Sequence, residues 1–358
     1  MNKRGIGVTS GAVPGLALES LLSDLRVEIG GARERLAARV NEELVALYWA
    51  IGTRIREELL HEQRAQYGKQ IVSAVGRQLS AEFGDGFSDK NLWNMVRFAE
   101  VFEDRNILYA LRRELSWTHF RKLIYIDDPL KRDFYLELCR VEHWSTRTLE
   151  QKISGMLYER TALSRKPAEL IRDELGALRD EGRMTPDLVF RDPYLLGFLG
   201  LRDGFHEKDL EAAIIRELER FILELGAGFA FVARQKRITV DHNDYYLDLL
   251  FFHRGLRRLV AIELKLGEFQ PADKGQMELY LRWLAKYDTQ PGEEPPIGLI
   301  LCAGKNQETI ELLELEKSGI RVAEYWLDVL PRKLMEKKLH DAIVVARGLM
   351  DSKEIAGE

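Results

Sequence analysis

The chain has 358 residues, more than one domain of ordinary size needs, so its length suggests two domains. Hydrophobic residues make up 46% of the chain and charged residues 31%, which is enough for both halves to bury a core. The formal net charge of −5 excludes a protein that is held on nucleic acid or on a membrane by bulk positive charge. If the protein binds a polyanion, it must do so locally.

The two cysteines, Cys139 and Cys302, lie far apart and have no neighbouring residues at zinc-ligand spacing. A disulfide framework and a structural zinc site are therefore not expected. The N-terminal stretch contains no uninterrupted apolar segment, and no run in the chain approaches ~18 apolar residues, so we expect neither a signal peptide nor a membrane span. These features predict a cytoplasmic protein with no membrane partner.

Residues 1–160 show the apolar spacing of α-helices and no alternation typical of strands. Four leucines between positions 18 and 25 predict a first helix, and a longer helix is predicted from 36 to 55, after Gly30 and Gly31. We therefore expect residues 1–160 to form an all-helical domain. Its leucine-rich helices permit a homo-oligomer without specifying one.

Part of this domain has the pattern helix, turn, helix. Helices predicted at 69–83 and 88–102 flank a turn at 84–86, and Ser88 is a good N-cap for the second helix. In a helix-turn-helix protein, side chains near the start of the second helix contact base edges. The candidates for nucleic-acid contact are Lys90, Asn91, Asn94 and Arg97. The alternative is an interaction or dimerisation domain whose charges are only solvated, because the charges of residues 1–160 nearly cancel.

Prolines interrupt residues 161–192, which we interpret as a connector, and helices alternate with strands from residue 193 to 358. The predicted elements are a helix at 208–225, strands at 229–240, 245–253 and 256–264, a helix at 272–287, a strand at 297–302, a helix at 307–315, a strand at 322–325 and a helix at 332–347. This order, αβββαβαβ, predicts a second domain with a mixed sheet and helices on its faces.

Three charged residues interrupt the two most apolar strands. Asp248 lies within the run 246–252, and Glu263 and Lys265 lie within the run 260–265. Continuous apolar runs are typical of strands buried on both faces, where an unpaired charge is costly. Two carboxylates and an ammonium at one point of a sheet suit a hard cation and a water nucleophile. The simpler alternative is a buried ion pair that holds the strands together.

Two neighbouring helices offer further polar side chains. Glu211 lies within the apolar stripe of the helix at 208–225, so it needs a partner inside the fold, and Glu207 and Glu217 are alternatives on the same helix. Gln276 and Tyr280 lie one turn apart on one face of the following helix. Beside the acidic cluster they could orient a phosphate or the lysine.

Together these residues resemble the PD-(D/E)xK nuclease superfamily, through Glu211, Asp248, Glu263-x-Lys265 and Gln276-x-x-x-Tyr280 in an αβββαβ order. The chain is also similar to the bacterial YhcG-like family of PD-(D/E)xK nucleases. The matching segments are 221–226, 234–235 and 262–265 in the second half, and 67–69, 86–88, 115–119 and 144–145 in the helical half. That family joins an N-terminal all-helical domain to a restriction-endonuclease-like domain, so the expected fold class is α followed by α/β. Leu247 stands where the motif's name has proline.

The resemblance implies a role for each matching residue. Asp248 and Glu263, with the backbone carbonyl of Leu264, bind a divalent metal ion, Mg²⁺ or Mn²⁺. Lys265 positions or deprotonates the attacking water. Glu211 is an accessory ligand or orients the lysine, and the remaining pair, Gln276 and Tyr280, supports the site and the substrate.

These expectations predict a Mg²⁺-dependent nuclease that hydrolyses phosphodiester bonds of nucleic acid, with DNA the expected substrate, in DNA processing or mobile-element defence. Single-stranded, double-stranded and branched forms all remain compatible with the pattern. The alternative is a catalytically silent protein that keeps the nuclease fold to bind nucleic acid or a partner. The complete set of charged site residues favours the enzyme, because a decayed site normally loses one of them.

Overall fold

The computed structural model describes residues 15–61, 65–104, 110–161, 165–201, 204–328, 331 and 333–344. The chain forms two compact units, Met1–Asp127 and Asp128–Glu358. The division lies earlier than the change in sequence pattern near residue 161, because the helices between 129 and 160 pack within the second unit; Arg160, for example, forms an ion pair with Glu224 at 2.5 Å. Among the described helices, none is long and apolar enough to cross a bilayer.

The first unit is built from helices. α1 spans Gly15–His61, α2 Ala65–Phe83, α3 Asp89–Val101 and α4 Trp117–Leu123, and a 3₁₀ turn at Asp85–Phe87 joins α2 to α3. The break predicted at Gly30 and Gly31 does not occur, and α1 continues through both glycines. The described residues of this unit contain no strand, which confirms the prediction of a helical N-terminal region.

α1 and α3 approach each other closely in the core of this unit. Val45 of α1 and Leu92, Met95 and Phe98 of α3 are fully buried. Gly52 of α1 makes the approach possible, because a Cβ at this position would lie 1.9 Å from the carbonyl oxygen of Met95. The contact partner is backbone, which cannot move aside as a flexible side chain can.

Short helices precede the sheet of the second unit: α5 Pro129–Val141, α6 Thr146–Ser154, α7 Leu157–Arg160, α8 Ala168–Glu181 and α9 Pro186–Val189. The segment interpreted as a connector thus contains α8 and α9. Ile171, Leu175 and Leu178 bury the apolar face of α8. Asp192, at the end of the segment, forms ion pairs with Arg165 at 2.9 Å and with Lys305, which follows the strand Ile297–Cys302, so this stretch is tied to the sheet.

A mixed sheet of six strands forms the core of the second unit. The strands are β1 Tyr194–Leu195, β2 Phe229–Val240, β3 Asn243–His253, β4 Arg258–Leu264, β5 Ile297–Cys302 and β6 Ile320–Trp326, in the order β1-β6-β5-β4-β3-β2. β3 is antiparallel to both β2 and β4, whereas β4, β5, β6 and β1 are parallel to one another. The mixed sheet confirms the predicted fold class. The two residues of β1 are too few to show a periodicity in the sequence.

Helices cover both faces of the sheet. α10 Glu207–Arg216 and α11 Leu218–Leu225 lie on one face and α12 Pro271–Tyr287 on the other, and α13 Gln307–Leu312 and α14 at 333–344 follow later strands. The single helix predicted at 208–225 is therefore two helices. They separate at Glu217, whose φ of −107° and ψ of 32° leave helical geometry.

The central strands are buried on both faces, as their continuous apolar runs indicate. Leu249, Phe251 and Ile262 belong to the core shared with α10 and α11. Leu250 and Ala261, which alternate with them along β3 and β4, belong to the core shared with α12. A polar side chain placed in these strands therefore faces a core unless the sheet opens beside it.

We expect Gly52→Ala to lower the free energy of unfolding of the first unit by about 1–3 kcal/mol, because the added methyl group overlaps the backbone of Met95. Gly30→Ala is the matched control in the same helix, since a Cβ there has nothing within 4 Å. The control should leave stability unchanged or raise it by up to about 1 kcal/mol through helix propensity. Urea denaturation of the full chain measures both, and equal effects would contradict the close helix contact.

Candidate active site

The predicted metal-binding residues lie where β3 and β4 separate. The antiparallel ladder between these strands ends at the pair Leu249 and Ile262. In the same register the next pair would be Asp248 and Glu263, but there the N–H of Leu264 donates to Asp248 Oδ2 at 2.9 Å. A carboxylate thus replaces a strand carbonyl as the acceptor, and the two acids stand opposite each other at the end of the ladder.

Gln235 on β2 joins Asp248 to Glu211. Its Nε2 lies 2.9 Å from Asp248 Oδ1 and 2.9 Å from Glu211 Oε2, while Arg234 pairs with Oε1 of Glu211. Gln235 has a φ of +46°, in the left-handed region that residues other than glycine seldom adopt. Such a conformation costs of order 1–3 kcal/mol and persists only where the surrounding structure imposes it. Glu211, 6% exposed, thus has the partners that its buried position requires.

A second network surrounds Glu263. Lys265 Nζ lies 3.3 Å from Glu263 Oε1, and Gln276 Nε2 donates to the same oxygen at 3.0 Å. Gln276 also accepts a hydrogen bond from Lys265 at 3.4 Å and donates to Tyr280 Oη at 2.7 Å. Tyr280 Oη in turn donates to the carbonyl of Tyr246 at 3.3 Å. The structure therefore brings the Glu-x-Lys pair and the Gln-x-x-x-Tyr pair into one cluster.

Burial and like charge make this cluster electrostatically unusual. Burial raises the pKa of Glu263 to about 8, and the charge of Asp248 acts in the same direction. Burial also raises the pKa of Asp248, against the hydrogen bonds from the Leu264 N–H and from Gln235. Burial alone would lower the pKa of Lys265, but the carboxylates of Glu263 and Asp273 raise it, so the ammonium stays charged.

Glu263 Oε2 is buried and has no hydrogen-bond partner among the described residues. A buried carboxylate oxygen without a partner is costly, and a hard cation with oxygen ligands supplies one. Asp248, Glu263 and the adjacent backbone of Leu264 are the groups that could hold Mg²⁺ or Mn²⁺. Across the described ranges no three His, Cys, Asp or Glu side chains form a metal cage. Two carboxylates with water completing the shell is the coordination that Mg²⁺ commonly takes.

The three acids considered on the helix before the sheet occupy different places. Glu211 is bonded to Gln235, which also contacts Asp248. Glu207 Oε1 accepts a hydrogen bond from the N–H of Leu266 at 3.4 Å. Glu217 lies at the helix break and pairs with Arg220 at 3.4 Å. Glu211 is thus the acid of the three that connects to the carboxylate pair, through an intermediate amide.

Arg234, Gln235 and Asp273 contact the cluster, and the sequence gives little reason to select them. Asp273 Oδ1 lies 3.7 Å from Lys265 Nζ. Arg234 and Gln235 lie on the edge strand β2, where polar residues are common, so their types carry no periodic signal. The segment 234–235 contributes to the family resemblance, which is the one indication of its importance available from the sequence.

The four candidates for nucleic-acid contact on α3 have different environments. Asn94 is 3% exposed and accepts a hydrogen bond from Tyr125 Oη at 2.6 Å. Asn91 and Arg97 each donate to a backbone carbonyl at 2.6 Å, whereas Lys90 is exposed. A side chain as buried as Asn94 cannot reach a base edge, so the prediction for Asn94 is corrected: its amide holds α3 in the unit.

Comparison with known proteins agrees with this geometry. The YhcG PDDEXK nuclease domain matches residues 187–340, and the DUF1016 N-terminal domain matches residues 24–160. The second unit therefore carries a nuclease domain of the PDDEXK class. An Escherichia coli (strain K12) protein named "Putative nuclease YhcG" is 35% identical over 354 residues, which cover 90% of this chain and 92% of that protein. The chain belongs to the YhcG family.

Two solved structures have weaker similarity. A repair endonuclease from Pyrococcus abyssi is 20% identical with a TM-score of 0.24, over 36% of this chain and 50% of that one. The structure of an EndoMS–dsDNA2 complex is 18% identical with a TM-score of 0.26, and the match covers 35% of this chain and 48% of that one. The chain spans about half the length of each. The fold class rests on the sheet order and on the nuclease-domain match.

The raised pKa of Glu263 predicts a pH dependence of stability. In the folded chain Glu263 keeps its proton up to about pH 8, against an ordinary value of 4.5, so the folded state holds one more proton in this window. Stability therefore falls as pH rises through it. Between pH 5 and pH 9, without divalent cations, we expect the free energy of unfolding to fall less in Glu263→Gln than in the wild-type chain. The difference should be at least about 1.4 kcal/mol, the equivalent of one pKa unit.

Urea denaturation with a chelator present measures this difference. Glu278→Gln is the control, because the hydrogen bond from Ser318 lowers the pKa of Glu278 and keeps this carboxyl ionised across the window. The control should lose as much stability as the wild-type chain between the two pH values. An equal loss in Glu263→Gln would show that Glu263 is not held protonated by the fold.

Proposed function

We propose that this chain is a Mg²⁺- or Mn²⁺-dependent nuclease that hydrolyses phosphodiester bonds of nucleic acid, in the first place DNA. One observation carries the proposal: Asp248 and Glu263 stand opposite each other at the separating ends of β3 and β4, with Lys265 Nζ 3.3 Å from Glu263. Bound between the half-buried Asp248 and the buried Glu263, a divalent cation would take the place of the proton on Glu263 and offset the repulsion between the two carboxylates. The match to a PDDEXK nuclease domain supports this chemistry.

Asp248 and Glu263, with the carbonyl of Leu264, would hold the cation. Bound there, it lowers the pKa of a water molecule and shields the charge of a phosphodiester. Lys265 remains an ammonium because two acids raise its pKa. It therefore acts as a donor that positions the attacking water and stabilises negative charge on the phosphate, and is unsuited to taking a proton from that water.

The remaining site residues position these groups. Gln276 donates to Glu263 and accepts from Lys265, so it fixes the distance between the acid and the ammonium. Tyr280 holds Gln276 and ties it to β3. Glu211 acts through Gln235, whose amide fixes the orientation of Asp248.

We further propose that residues 1–160 act as a targeting region, that 161–192 connect it to the remainder, and that 193–358 form the nuclease domain. In this division the helices between 129 and 160 belong to the targeting region by sequence and pack within the second unit. The ranges of the two family matches, 24–160 and 187–340, support this division. Leu36, Val40 and Leu47 of α1 are exposed, which supports binding of another protein chain, including a second copy. Lys90 is the remaining exposed candidate for nucleic-acid contact on α3.

We expect Asp248→Ala and Lys265→Ala each to lower Mg²⁺-dependent cleavage by at least about 10²-fold, the usual effect of removing a group that acts in the transition state. The two variants should differ in metal binding. Mn²⁺ should raise the unfolding temperature of Lys265→Ala as much as that of the wild-type chain, but raise that of Asp248→Ala less, because Asp248 is a proposed ligand and Lys265 is not.

The assay uses labelled linear, circular, single-stranded and branched DNA with Mg²⁺ or Mn²⁺, and circular dichroism checks that each variant is folded. Lys317→Ala is the control, since Lys317 is exposed and pairs with Glu314 away from the site. Undiminished cleavage in both site variants would refute the proposal. Metal binding without cleavage of any substrate would instead favour a catalytically silent nucleic-acid-binding protein.

A further inference from the structure

The hairpin of β2 and β3 extends beyond the rest of the sheet. β4 pairs with β3 only from Leu249 onward, whereas β2 and β3 remain paired as far as Val240 and Asn243. Residues 236–240 and 243–247 thus form a two-stranded arm, about 17 Å long at the usual rise of a strand. The arm begins at the carboxylate pair, because Gln235 and Asp248 lie at its base.

The two faces of this arm differ. On one face Ile238 and Leu247 are fully buried in the core shared with α12, where Lys236 also lies over the ring of Trp283 at 5.8 Å. On the opposite face Arg237 and Tyr246 form a direct cross-strand pair, and they are 64% and 51% exposed. One face therefore anchors the arm, and the other presents an aromatic ring beside a guanidinium to solvent.

A third exposed group continues this surface toward the site. Arg234, 45% exposed, pairs with Glu211 on the helical side opposite α12. Arg237 is likewise held by Asp244, at 2.8 Å. Each guanidinium has five N–H donors, so an ion pair with one acid leaves donors for a phosphate. We call Arg234, Arg237 and Tyr246 the arm surface.

The backbone of Tyr246 is held close to the carboxylates. Tyr246 precedes Asp248 by two residues, and its carbonyl accepts the hydrogen bond from Tyr280. Tyr280 is joined through Gln276 to Glu263. The backbone of Tyr246 is therefore connected to both acids, by the chain to Asp248 and by hydrogen bonds to Glu263, and two residues of a strand span ~7 Å from Tyr246 to Asp248.

We propose that the arm surface binds single-stranded nucleic acid next to the bond that is cut, with a base stacked on Tyr246 and phosphates on Arg234 and Arg237. This inference rests on the proposed nuclease function and specifies its substrate. An exposed aromatic ring stacks on a base that is itself unstacked, which a duplex does not present. In a chain of net charge −5, stacking supplies affinity that phosphate contacts alone do not.

The test is binding of a fluorescein-labelled oligodeoxynucleotide, single-stranded or annealed to its complement, followed by anisotropy with divalent cations chelated so that nothing is cut. Tyr246→Ala should weaken single-strand binding about tenfold, within the range of one base–aromatic stack. Tyr246→Phe keeps the ring and should bind within about twofold of wild type. Tyr245→Ala is the matched control, because Tyr245 is the neighbouring residue on the other face.

Duplex DNA should bind more weakly than the single strand and respond equally weakly to all three substitutions. Single-strand binding that is unchanged in Tyr246→Ala would overturn the inference. So would duplex DNA that binds more tightly than the single strand and loses as much affinity as the single strand does in Tyr246→Ala. Thermal denaturation verifies that each variant is folded. The proposed nuclease function is tested separately, since loss of cleavage in Asp248→Ala does not depend on Tyr246, and binding is measured without cleavage.

Discussion

The hydrogen bond from the N–H of Leu264 to Asp248 governs the geometry of the candidate site. In a continuing ladder this N–H would find a carbonyl of β3; here the side chain of Asp248 takes that place at 2.9 Å. The strands are free to separate because the N–H still has an acceptor, and a buried N–H without one would be costly. Where the ladder ends, the carboxylate of Glu263 accepts a hydrogen bond from Gln276 of α12.

The buried acid Glu263 and the half-buried Asp248 beside it are compensated from both sides of the sheet. On the side of α12, Lys265 and Gln276 supply donors to Glu263 Oε1. On the other side, Gln235 supplies one amide to both Asp248 and Glu211. These donors leave Glu263 Oε2 without a partner among the described residues. The protein groups thus compensate the pair only partly, which is the condition in which a cation binds most favourably.

The sequence predicts the fold where an apolar pattern reflects burial. It predicts the site residues where a charged residue interrupts such a pattern. Continuous apolar runs located β3, β4 and β5, and Asp248 and Glu263 were recognisable because they interrupt such runs. Gln235 was not, since its role depends on a left-handed backbone at an edge strand. The break at Glu217 was hidden because the apolar stripe continues across it from α10 to α11.

The base of the arm shows a second feature that no sequence period contains. Leu250 and Leu247 lie three residues apart, an odd number, yet both belong to the core beside α12. The alternation of β3 therefore shifts at Asp248, opposite the left-handed Gln235 of β2. A strict period of two across this segment would place either Leu247 or Leu250 on the wrong face. The shift instead keeps both buried.

A net charge of −5 excludes bulk attraction to a polyanion, so binding must come from local groups such as the proposed cation site and the ring of Tyr246. Without a cation, the charge of Asp248, and that of Glu263 once it ionises, would repel a phosphate, so the proposed metal and substrate sites would be coupled. A cation that favours phosphate binding must itself bind more tightly when the phosphate is present, by the same factor. Stacking on Tyr246 lies outside this coupling, because it involves no charge. Under the two proposals a substrate strand would be held by its bases without the cation, and Asp248 and Glu263 would hold the cation that reverses the sign of the field where the phosphate must lie.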